Sequence, residues 1–167
     1  MMTRKVFSTM NSRTSTRIDV ALLLLRLGLL IDFFVHGAQK LFGAFGGGGV
    51  SGTGAFFASI GANPGPMWAL LVGLVEFGGA ICVGIGLLTR LAAAAIAMDM
   101  AGAIALYNWP HGFFAETATG GWEINMIIIA MCLALVLAGA GRFSLDAMVL
   151  PSWQRRRAVP STNAQPS

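Results

Sequence analysis

Arg26, Asp32, His36, Lys40, Glu76, Asp99 and Glu123 stand in or beside long apolar stretches. There an ionised side chain costs roughly 2.5–3.5 kcal/mol at the centre of a membrane helix. Such groups persist when they are paired, when they hold a polar ligand, or when they pass protons. Asp32, His36 and Lys40 follow each other at intervals of four residues, so on a helix they form one ladder on one face. Gly28 extends that face by one further turn. At about 1.5 Å per residue, Asp32 lies ~15 Å and His36 ~9 Å from the outer end of its stretch. Glu76 and Asp99 each lie ~13 Å from theirs. Asp32, His36, Glu76 and Asp99 are therefore expected at one level in the outer half. Arg26 lies ~12 Å from the inner end, and its long side chain reaches Glu76 or Asp99 or snorkels inward. Lys40 and Glu123 sit at the outer ends as interfacial polar residues. The candidate intramembrane cluster is thus Arg26, Asp32, His36, Glu76 and Asp99.

Each of these residues also has a plainer reading. An Arg26–Glu76 ion pair would only fix helix register, and Asp32–His36 would be a satisfied hydrogen-bonded pair. No HxxxH or ExxH arrangement accompanies the deep histidine, so no metal site is expected. Cys82 and Cys132 lie in apolar stretches without a CxxC, and read as structural cysteines. The segment Gly47–Gly52 spells GxGxxG, but no strand precedes it and no βαβ unit surrounds it, so a phosphate cradle is rejected.

The elements that must carry these side chains follow from composition. The chain has 167 residues, of which 56% are hydrophobic and 11% charged. Ordinary soluble domains carry about 25% charged residues. The mean hydropathy of +0.73 points the same way. The expected fold is all-α, an integral membrane four-helix bundle. Apolar stretches cover 18–42, 67–88, 91–107 and 123–140, each near the ~20 residues needed to cross a bilayer. The third is short and is expected to extend through Thr89 and Asn108. Arg26 interrupts the first apolar run and no small-x-small site follows promptly, so a retained helix is read rather than a cleaved signal. The domain reading is a polar cytoplasmic segment at 1–17, a transmembrane domain at 18–150, and a disordered basic tail at 151–167. Segment 43–66 reads as a flexible loop leading to a half-buried turn at Phe56, Phe57 and Ile60. Trp109, Phe113, Phe114 and Trp122 read as an interfacial aromatic belt. Small residues mark packing faces: Ala93, Ala97, Ala101 and Ala105 in the third stretch, and Gly73, Gly79 and Ala80 around Glu76.

The net charge of +4 does not point to nucleic acid. Arg4, Lys5, Arg13 and Arg17 precede the first stretch, Arg90 lies between the second and third, and Arg142 and Arg155–Arg157 follow the fourth. Loop 43–66 holds no charged residue. The positive-inside bias then places both termini in the cytoplasm.

These residues resemble the DoxX family of small bacterial membrane proteins. The first stretch carries Arg26, Gly28, Phe33, His36, Gly37 and Lys40 in RLGLLIDFFVHGAQKLFG. The second carries Glu76, Gly78, Gly79, Gly84, Thr89 and Arg90 in VEFGGAICVGIGLLTR. Gly112-Phe113-Phe114, Gly120-Gly121 and Glu123 follow, and the fourth stretch ends in GAGRFSLD. The resemblance spans about residues 18–146 and implies a four-helix, multi-pass protein of the bacterial plasma (inner) membrane. Family members are often labelled oxidoreductases. Relatives include a quinone-linked thiosulfate-oxidising subunit and proteins that tether soluble redox enzymes. The family positions are Arg26, His36, Lys40, Glu76 and Glu123, whereas Asp32 and Asp99 fall outside the pattern.

No flavin fingerprint, haem ligand pair or thiol pair is present, so redox chemistry needs a quinone or a partner protein to supply it. Three functions stay open. One is a membrane subunit of a redox or oxidative-stress system, with a quinone near His36 and Glu76. Another is a non-catalytic anchor or assembly factor for soluble redox partners. The third is a small transporter or proton path, which would require a homo-oligomer. The lipid bilayer is the partner common to all three.

Overall fold

The computed structural model describes residues 2–114 and 120–149, with the side chains of 2–15 left aside. It is helical throughout, with no strand among the described residues. The helices are α1 (Met2–Phe42), α2 (Gly49–Ser59), α3 (Gly65–Ile85), α4 (Thr89–Ala103), α5 (Glu123–Ala138) and α6 (Leu145–Val149). The tail assigned to 151–167 lies outside the described residues.

α1 packs along α3, α3 against α4, and α4 along α5, while α1 and α5 touch little. The buried core joins Leu29 and Phe33 of α1, Ala80 and Val83 of α3, Ala93 and Ile96 of α4, and Cys132 and Leu135 of α5. Two helices are long and apolar enough to cross a membrane: Gly65–Ile85 and the continuous helical run Thr89–His111. The apolar helix α5, Glu123–Ala138, is shorter. Large apolar side chains such as Leu24, Ile31, Leu70, Leu74, Met98, Ile127 and Leu137 face outward. A water-facing surface does not ordinarily present so many.

The third stretch does extend in both directions. α4 begins at Thr89, passes through one π-helical turn at Ile104–Asn108, and ends in a 3-10 turn at Trp109–His111. Segment 43–66 departs from the expected flexible loop, because it contains the eleven-residue helix α2. Its glycines disguise it. Gly54 is buried, and a Cβ there would come within 2.9 Å of the Pro66 nitrogen. The lack of side chains lets α2 lie directly on the first turn of α3. The alanine stripe of α4 is divided: Ala93 and Ala97 are buried, Ala101 and Ala105 exposed.

The α1–α3 contact sets the geometry of everything polar. A Cβ at Gly37 would overlap the backbone of Phe77. A Cβ at Gly73 would lie 2.7 Å from Leu41 Cδ2. Small residues thus bring the two helices together beside His36, Lys40 and Glu76.

Candidate functional site: a largely apolar cavity with convergent polar groups

The polar residues separate into two places. The first is a knot at the end of the molecule where α3 stops. Arg26 is fully buried there. Its Nε donates to the Val83 carbonyl at 2.8 Å and its Nη2 to that of Gly84 at 2.6 Å. Its Nη1 donates to the carbonyls of Ala140 at 2.9 Å and Phe143 at 2.7 Å. The last carbonyls of a helix lack intrahelical partners and carry partial negative charge, so a guanidinium fork is well matched to them. Gly86 follows in the left-handed region at φ 73°, and a Cβ there would lie 2.6 Å from Arg26 Nη2. Asp146 completes the knot. Its carboxylate accepts from Leu88 N–H at 2.8 Å and Thr89 N–H at 3.0 Å, capping α4. Asp19, also buried, accepts from Arg142 N–H at 3.0 Å.

Arg26 therefore stands apart from Glu76 and Asp99, the partners its side-chain length made plausible. The reason is local: four backbone carbonyls already take its donors. The motif segments around Thr89-Arg90 and GAGRFSLD gather at the same knot, and their role there is to join the ends of α3, α4 and α5.

The second place is a cavity of about 680 Å³. Its wall holds Asp32, His36 and Lys40 from α1, Glu76 from α3 and Asp99 from α4. The remainder is mostly apolar and aromatic, including Phe56, Phe57, Trp68 and Tyr107. Small-molecule sites have this size and this mixture: apolar walls with a few convergent polar groups.

Glu76 is only 3% exposed, and its carboxylate is held by Lys40, whose Nζ lies 2.6 Å from Oε2 and 2.8 Å from Oε1. Lys40 was read as an interfacial anchor, but the Gly37 approach turns it inward. An ammonium has three hydrogens, and these two contacts leave a third for a ligand. Asp99 lies within electrostatic reach of both Glu76 and Lys40, and its Oδ2 is buried without a hydrogen-bond partner among the described residues. Asp32 and His36 pair loosely along the helix at 3.6 Å, with side chains 48% and 54% exposed. Glu123 is absent from the wall. It opens α5, where a carboxylate complements the positive end of the helix.

Sequence reasoning missed Asn125, Asn108, Trp68 and Tyr107 in the wall. Asn125 was detectable, as an amide two residues into the apolar run of α5. Its Nδ2 lies 3.4 Å from Met100 Sδ. Tyr107 is the sole tyrosine of the chain, at the end of the third stretch.

Apolar crossing helices with outward-facing hydrophobic side chains, around a cavity with a few convergent polar groups, define a small helical membrane protein. The chain belongs to the DoxX family, whose pattern matches residues 21–109. It is 32% identical over 131 residues to a Bacillus subtilis (strain 168) protein named "Putative oxidoreductase CatD", covering 78% of this chain and 88% of that one. No solved structure shows a significant match.

Proposed function

We propose that the protein is the membrane subunit of a redox system and that its cavity binds the ring of a quinone. The carrying observation is the meeting of Lys40, Glu76, Asp99, Asp32 and His36 in the wall of one largely apolar chamber. The designation of the Bacillus relative as an oxidoreductase supports a redox context. Cys82 and Cys132 are both free thiols, the second fully buried.

In this reading α1, α3, α4 and α5 cross the bacterial inner membrane as a four-helix bundle. Both termini lie on the cytoplasmic side, with the basic flanks, and the cavity occupies the opposite half. A bound quinone supplies two-electron, two-proton chemistry that no side chain here provides. The protein's part is binding and proton placement. The remaining Lys40 N–H would be the donor available to a ring carbonyl oxygen, and the unpartnered Asp99 Oδ2 the acceptor available to a ring hydroxyl. The Lys40–Glu76 pair stays fixed, held by the close helix contact at Gly37. Phe56, Phe57, Trp68 and Tyr107 supply the aromatic part of the wall. A soluble redox protein at the membrane surface would be the electron partner.

The test is to purify the protein from its native membrane in mild detergent and quantify extracted quinone per polypeptide. Near-stoichiometric quinone is expected in the wild type. His36→Ala removes a half-exposed group that pairs only loosely with Asp32, and Asp99→Asn keeps the size of a side chain that meets Glu76; both should retain the fold but lose most of the quinone. A folded wild-type protein devoid of quinone, and unable to take it up on addition, refutes the proposal.

A further inference from the structure

The cavity is covered at the end where the loops lie. α2 brings Phe56, Phe57 and Ile60 into its wall. The Phe56 ring meets Tyr107 edge-on, with centroids 5.1 Å apart, and Tyr107 packs on His111 at 4.8 Å. α2 is itself seated on α3 through the close approach of Gly54 to Gly65 and Pro66. Below the cavity, Leu29, Phe33 and Ile96 are almost completely buried in the core, and beyond them lies the Arg26 knot. Among the described residues, both ends of the cavity are built from mutually packed side chains.

The flanks differ. Leu71 of α3 is 50% exposed and Met98 of α4 is 75% exposed, yet both belong to the cavity wall. These apolar side chains belong to the chamber and to the outer surface of the helices at once. In a membrane-crossing chain that surface meets acyl chains. The half-exposed Asp32–His36 pair forms a second, polar stretch of the wall on α1. A hydrocarbon laid over that pair would strip its solvation, whereas Leu71 and Met98 lose nothing by contact with hydrocarbon.

We infer that the cavity is loaded sideways from the bilayer. Its ligand is a lipid-dissolved amphiphile whose ring enters the chamber and whose hydrocarbon tail leaves past Leu71 and Met98. This rests on the quinone reading and adds to it a ligand class, long-tailed rather than water-soluble, and a route. About 680 Å³ accommodates a substituted ring and the start of a tail. The rest of the tail stays in the membrane, so its hydrophobic energy is the same bound and free.

The experiment uses the full chain in nanodiscs with Trp68, in the cavity wall, as the reporter. Trp109, Trp122 and Trp153 are replaced by Phe. Phospholipids brominated along the acyl chain should quench Trp68 emission, and aqueous iodide should not. A decyl-tailed benzoquinone should then relieve the bromolipid quenching. Quenching by iodide with none by bromolipid overturns lateral loading. Bromolipid quenching that the decyl-tailed ring leaves unchanged supports the side opening but contradicts the quinone reading. A second measurement, in the otherwise native chain, guards against a misfolded reporter. Met98→Trp should weaken the decyl-tailed ring by about tenfold or more relative to its effect on the tailless ring. Equal effects on both rings, or none on either, overturn the proposal.

Discussion

The Lys40 ammonium sits between the two carboxylate oxygens of Glu76, at 2.6 and 2.8 Å, across the closest contact of α1 and α3. Lys40 compensates a carboxylate that is nearly sealed from solvent, and both partners belong to the cavity wall. Removing Lys40 leaves the Glu76 carboxylate buried and uncompensated, and Lys40→Met should destabilise the protein by roughly 3 kcal/mol. Glu76→Gln should cost less, because Lys40 is 26% exposed and keeps Asp99 within electrostatic reach. The double variant should lose clearly less than the sum. A double-mutant cycle by denaturant unfolding in detergent measures this, and strict additivity would show that the pair does not act as a unit.

Gly37 is the residue that allows that pair to form. Gly37→Ala places a methyl group on the Phe77 backbone, which cannot yield as a flexible side chain would. We expect a loss of about 1–3 kcal/mol and weaker quinone retention, because α1 moves away from Glu76. Gly28→Ala and Gly78→Ala are the controls, since nothing lies within 4 Å of either added Cβ. Thermal unfolding of the three variants side by side should single out Gly37; equal midpoints would contradict the packing argument.

Arg26 serves the fold rather than the cavity. Arg26→Lys keeps the charge but cannot reach four carbonyls with one ammonium. It should lower the unfolding midpoint markedly, and Arg26→Ala more so. Any Arg26→Lys protein that does fold should keep the wild-type quinone affinity, measured in the same detergent. Affinity lost in a fully folded variant would move Arg26 into the site.

Asp146 caps α4 from 57 residues beyond Thr89. Asp146→Ala should cost about 1–2 kcal/mol, a typical value for an N-terminal cap. Hydrogen exchange should rise at the amides of Leu88 and Thr89 first. Unchanged exchange there would remove the cap from the account.

Much of the site was legible because helical periodicity is local. The four-residue spacing puts Asp32, His36 and Lys40 on one side of α1, and rise per residue brings Glu76 and Asp99 to the same depth. The structure has all five in one wall. Helix α4 was legible down to its extension through Thr89 and Asn108. Arg26 was not, because its partners are backbone carbonyls, and no residue type announces an unpaired carbonyl. The Lys40–Glu76 pair depends on a tertiary contact at Gly37, so Lys40 read as an ordinary anchor. α2 was hidden by its glycines, which argue for a loop until their packing against α3 is seen.

Whether the wall shared by α1, α3 and α4 receives a quinone ring is decided by photolysing an azido-quinone in native membranes and mapping the adduct by mass spectrometry. Adducts are expected on peptides containing Trp68 and Leu71 of α3 and Tyr107 after α4, suppressed by excess unlabelled quinone. Adducts confined to the outward faces of the helices, indifferent to competitor, would contradict it.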